Sequence, residues 1–115
     1  MTAGEAIARA DALMPNQFET EEKLRWLEHL DMTLEAEVPQ LPALEGDCYG
    51  MESALLAPDA HSELYIHWLH AKMLYYLGEF TRYQNAMAQF NSAYLALTAA
   101  MIRSGAPKCD AALRY

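Results

Sequence analysis

Residues 63–101, ELYIHWLHAKMLYYLGEFTRYQNAMAQFNSAYLALTAAM, hold most of the large apolar side chains and one break, at Gly78. That combination commits the chain to two antiparallel helices. The first, about 60–77, is apolar almost all round, with Leu64, Tyr65, Ile66, Trp68, Leu69, Met73, Leu74, Tyr75, Tyr76 and Leu77 leaving only a narrow polar strip. A helix without a clear wet face is a central one, covered by neighbours on several sides. The second, about 82–103, repeats Tyr83, Met87, Phe90, Tyr94, Leu97 and Met101 at alternating spacings of four and three, an a/d seam with Phe80 just ahead of it.

The rest of the chain extends this to an all-α, small four-helix bundle in a single domain, residues 1–115. Thr2 and Glu5 have capping-box spacing, and Ala6, Ile7, Ala10, Leu13 and Met14 form one stripe, so a first helix is expected over 3–14. Glu5 and Arg9 should pair one turn apart on its outer side, and Pro15-Asn16 should end it. A second helix is expected over 21–37, with Thr20 as N-cap, Glu21 and Glu22 on the positive end of its dipole, and Leu24, Leu27, Leu30, Leu34 and Val38 buried. Periodicity then vanishes over residues 39–57. A connection this long is usually functional or mobile. Its apolar members, among them Leu41, Leu44, Tyr49 and Leu55, predict that it packs on its own domain or on a neighbouring chain. Pro58 suits the approach to the third helix and Gly78 its left-handed stop. Thr81 and Gln84 offer a second capping box, and Gly105 and Pro107 predict a helix end followed by a C-terminal tail, 104–115.

Sixteen Asp and Glu against eight Lys and Arg give a net charge of −8, which opposes binding to phosphate backbones. Two cysteines, Cys48 and Cys109, have no metal-ligand spacing and fit free thiols in a reducing cytoplasm. His67, His70, Lys72 and Glu79 interrupt the best apolar run, so no membrane span is expected. Glu5 stands where a signal peptide would be basic, which predicts synthesis and folding in the cytoplasm.

Three constellations bear on chemistry. Glu63, His67 and His70 share one face in an E-x-x-x-H-x-x-H pattern. Such groups bind zinc or iron when a further ligand joins them; the plainer reading is a polar strip at solvent or an interface, with Glu63 and His67 paired. Glu28, Asp31, Glu35 and Glu37 read as the solvated acidic side of the second helix, since acid–base work needs carboxylates in a pocket with separated pKa values. The aromatics Tyr65, Trp68, Tyr75, Tyr76, Tyr83, Phe90 and Tyr94 fall at helical spacing, which favours core over a stacking platform. Neither a phosphate-binding glycine loop nor a nucleophile elbow is present. No catalytic residue, cofactor or metal is expected, and the chain reads as a non-enzyme. Ala86, Ala93 and Ala100, seven apart on one flank of the last helix, let another helix approach closely, from the same chain or from another subunit.

Several runs resemble a known family. They are Leu13-x-Pro15-Asn16; Glu22-Lys23-x-x-Trp26-Leu27 with Leu30-Asp31; Leu55-Leu56-x-Pro58 followed by Glu63-Leu64-Tyr65-x-x-Trp68-Leu69; and Gly78-Glu79-x-x-Arg82-Tyr83-x-Asn85 with Phe90-Asn91. Together they resemble the head-to-tail connector, or adaptor, proteins of long-tailed bacteriophages and prophages. Gln84 and Ala60 depart from the pattern. The resemblance implies a structural virion protein in the head–tail neck, made in the host cytoplasm. It implies a homo-oligomeric ring of about twelve subunits beneath a portal protein. A tail-side neck protein would lie below, and double-stranded DNA would pass through without sequence-specific binding. On this reading Trp68, Arg82, Tyr83, Ala86, Ala93 and Ala100 are the candidate subunit interface. The alternative reading is a generic acidic helical interaction module or regulator with no virion role.

Overall fold

The computed structural model describes residues 1–44 and 48–110, with side chains through Arg103. Glu45, Gly46, Asp47, the Cys109 thiol and the last five residues of the expected tail lie outside the described residues. Four α-helices make up the described fold: α1 (Ala3–Leu13), α2 (Thr20–Glu37), α3 (Glu63–Leu77) and α4 (Phe80–Asp110). A single 3₁₀ turn, Asp59–His61, precedes α3. The all-α bundle is as the periodicity predicts.

α3 is central, packing on α1, α2 and α4, whereas α4 leans mainly on α3. Leu27, Leu34, Leu64, Tyr65, Leu69, Met73 and Leu97 are fully buried. Each buried aliphatic side chain contributes roughly 1.5–3 kcal/mol. The predicted seam of α4 faces this core: Phe90 and Leu97 are buried, and Met87, Tyr94 and Met101 pack against it. α3 ends at Gly78, whose φ of 78° is left-handed. The Gly78 N–H donates to the Tyr75 carbonyl and the Glu79 N–H to the Leu74 carbonyl, the paired bonds of a Schellman stop. Two residues therefore suffice to reverse the chain into α4.

Several boundaries and contacts differ from expectation. α4 begins at Phe80, so Thr81 lies inside its first turn and caps nothing. The helix also continues through Gly105 and Pro107 to Asp110, where a tail was expected. α2 starts at Thr20, with Glu19 as an N-cap that makes no side-chain bond. The Thr2–Glu5 capping box forms, but that commits Glu5 to the Thr2 backbone, and Arg9 pairs instead with Glu63 at 2.9 Å.

The described residues of the 39–57 connection pack on their own chain. Ala54 forms an antiparallel bridge with Thr2. The carbonyls of Ser53 and Met51 accept the N–H groups of Ala3 and Gly4 at 2.9 and 2.8 Å. The loop thus satisfies two orphan donors at the start of α1, and the Thr2 hydroxyl accepts a third from Glu5.

Candidate assembly surface

The loop is latched from inside by Asp31. Expected on a solvated acidic face, this carboxylate is fully buried. Its Oδ1 accepts the Tyr65 hydroxyl at 2.7 Å and its Oδ2 the Tyr49 hydroxyl at 2.9 Å, and the Leu56 amide lies close enough to favour the charged form. The Tyr65 hydroxyl in turn accepts the Ala57 N–H at 2.8 Å. Burial raises the Asp31 pKa from the ordinary carboxylate value, and the donated hydrogen bonds pull the other way. Burial is also the largest cause raising both tyrosines, with the Asp31 charge next. A signal that separates Asp31 from Glu28 and Glu35 was present in the helical spacing: Asp31 falls four residues after Leu27 and three before Leu34, inside the apolar stripe.

Lys23 is a second polar residue that the sequence reading missed. It is buried in α2 and its ammonium donates to Asp11 at 2.8 Å. Asn16 donates to the same Asp11 oxygen at 2.9 Å and accepts the Phe18 N–H at 3.1 Å, which organises the turn from α1 into α2.

The His-bearing strip of α3 lies against α1. His70 Nε2 is 3.1 Å from the Ala10 carbonyl. His67 sits in the same groove as Leu13, Met14, Arg82 and Ala86, where burial lowers its pKa against an opposing pull from Glu63. Glu63 bonds Arg9, not His67. Among the described residues no three His, Cys, Asp or Glu side chains converge to hold an ion.

The candidate interface residues fall in different surroundings. Trp68 is half-buried; its indole N–H donates to the Trp26 carbonyl at 2.8 Å and its ring lies 5.0 Å from that of Phe90. Arg82 is exposed and pairs with Glu79 at 2.9 Å. Tyr83 is half-buried, its ring 5.4 Å from that of Tyr75. Ala93 packs against the core of its own chain, Ala86 lines the groove beside α1, and Ala100 is half-buried.

The open side of α4 lies opposite its seam. Asn85, Ala88, Ser92, Leu95, Ala99 and Ile102 follow one another at alternating three and four, all exposed, with Leu95 at 66% and Ile102 at 59%. No charged residue occurs between Arg82 and Arg103, so this is a second, uncharged a/d line on a helix whose first line is already occupied. The surplus acid lies elsewhere, including the exposed Glu21, Glu22, Glu35 and Glu37 of α2. Tyr94 reaches across to α2, donating to Glu37, and its hydroxyl is pushed up to about 12 by burial and by that carboxylate.

The aromatic reading divides. Tyr65 and Phe90 are core, but Tyr75 and Tyr76 are exposed where core was expected: at this end of α3 only the Trp26 ring of α2 stacks on Tyr76, and the outer side stays open. No helix of the described residues is long and apolar enough to cross a membrane. No protein-family model matches the chain, and neither a curated protein nor a solved structure matches it.

Proposed function

We propose that this chain is a structural virion protein of the phage head–tail neck, assembling as a ring beneath a portal protein and extending the DNA channel toward the tail. The observation that carries the reading is the outer line of α4. A helix with two a/d lines, one packed within the chain and one open and uncharged, suits a subunit whose neighbours complete it. The quoted connector-like runs agree with that role. So does the charge distribution: the exposed carboxylates of α2 would face the channel, where like charge keeps DNA from adhering.

Coexpression with a phage portal protein tests the proposal. Co-purification in a ring stoichiometry is expected, lost in Leu95→Glu and Ile102→Glu while each variant keeps its helical content. A folded chain that fails to co-purify overturns the virion role and leaves the interaction-module reading.

A further inference from the structure

α3 is apolar almost all round, yet among the described residues the helices of its own chain cover it on three sides. The uncovered stripe is Trp68, Lys72, Tyr75 and Tyr76, at i, i+4, i+7 and i+8, and it forms one wall of a groove completed by Tyr83 and Met87 of α4. The groove has a volume of about 460 Å³. Tyr75 and Tyr76 are 49% and 57% exposed, and Phe80 at the same end is 58% exposed.

These rings are held in place before anything binds. Trp26 of α2 stacks on Tyr76 at 5.7 Å and an interplanar angle of 7°, with Phe18 edge-on behind it at 5.5 Å. Tyr75 contacts Tyr76 at 5.3 Å, Tyr83 at 5.4 Å and Phe80 at 6.1 Å. Rigid, amphipathic aromatic surface loses little entropy on binding. Among the described residues, the only charge lining the groove is Lys72. Its ammonium sits 5.1 Å from the Trp68 ring centroid and makes no ion pair with a described carboxylate. On a chain of net charge −8, a groove lined by one cation and no carboxylate selects an acidic visitor.

We infer that this groove docks an amphipathic helix of a different protein, one that presents large apolar side chains on one face and an Asp or Glu placed to meet Lys72. The walls are helices, and the stripe from Trp68 to Tyr76 spans about 12 Å, a little over two turns, which suits helix-in-groove packing. A second copy does not supply this chemistry. Among the described residues, the exposed large apolar groups away from the groove are Leu13 of α1, Met32 of α2, Met51 of the loop, Leu77, which sits in a separate hollow with Phe18, and Leu95 and Ile102 of α4. The first three lie on different elements, and no carboxylate occurs between Arg82 and Arg103 beside the α4 pair. A two-fold contact through the groove would bring Lys72 toward its own copy.

The inference goes beyond the virion reading: the outer line of α4 that carries that reading is not part of the groove, while Trp68 and Tyr83 of the candidate subunit interface line it and are here assigned to a different partner. The test is selection of helical peptides from a randomised display library against the intact chain and against Lys72→Glu. Wild type should enrich apolar residues at i, i+3 or i+4, and i+7, with a carboxylate in constant register, and Lys72→Glu should enrich Lys or Arg at that register instead. Tyr76→Ala and Tyr75→Ala should each weaken an enriched peptide about tenfold or more by tryptophan fluorescence. Leu95→Glu should leave its affinity unchanged. A lack of consensus, a consensus indifferent to Lys72→Glu, or displacement of the peptide by a second copy of the chain would each overturn the inference.

Discussion

Tyr65 and Asp31, thirty-four residues apart in sequence, meet through a 2.7 Å hydrogen bond in the centre of the bundle. The same tyrosine oxygen accepts the Ala57 N–H, so one hydroxyl joins α2, α3 and the end of the long loop. Tyr65→Phe keeps the ring and its packing while leaving a buried carboxylate short of a donor and a buried amide without an acceptor. A loss of about 2–3 kcal/mol is expected from urea denaturation. Hydrogen exchange should show the Ala57 amide losing protection more than amides within α1.

Asp31 also makes stability depend on pH. Its folded-state pKa lies above the unfolded value because burial outweighs the bonds it accepts. The group's contribution is therefore fully present below the unfolded carboxylate pKa and is lost as pH rises through the folded pKa. Unfolding free energies measured from about pH 4 to about pH 8 for wild type and Asp31→Asn should show their difference shifting toward the variant as pH rises. A difference that is flat with pH would mean that Asp31 titrates as it does in the unfolded chain.

Gly4 inverts a common rule. Alanine in place of a helical glycine ordinarily stabilises by about 0.5–1 kcal/mol. Here a Cβ would stand 2.9 Å from the Met51 carbonyl oxygen, the atom that accepts the Gly4 N–H. Overpacking of this kind costs about 1–3 kcal/mol. Gly4→Ala is expected to lower the thermal midpoint, and a rise would show that the loop yields freely.

At Gly78 the cost comes from the backbone alone. A Cβ there meets nothing within 4 Å, but φ is 78°. Gly78→Ala should destabilise by about 1–2 kcal/mol, and Gly78→Asn by less, since asparagine tolerates the left-handed region. Chemical denaturation of the two variants side by side gives the ordering.

Trp68 and Trp26 show how far pattern reading reached. Both sit at helical spacing among apolar neighbours, and both pack as the pattern implies. Which face of α3 they leave open depended on how the first turns of α2 lie against Tyr76, and nothing within α3 itself encodes that. The divergence at Arg9 has the same origin. Its i−4 partner Glu5 was legible, whereas Glu63 became its partner only when α1 was laid beside α3.

Sequence alone determined the four helices, the stop at Gly78, the inner seam of α4 and the central place of α3, because each follows from periodicity and local backbone chemistry acting within a few residues. Tertiary structure decided that Asp31 is a buried latch, that Lys23 is buried against Asp11, that the Met51 and Ser53 carbonyls cap α1, and that an aromatic groove stays open beside Lys72. Those outcomes rest on contacts between segments far apart in the chain. A carboxylate or a tyrosine has the same local spacing whether a loop folds over it or water does, so only the packed arrangement distinguishes the two.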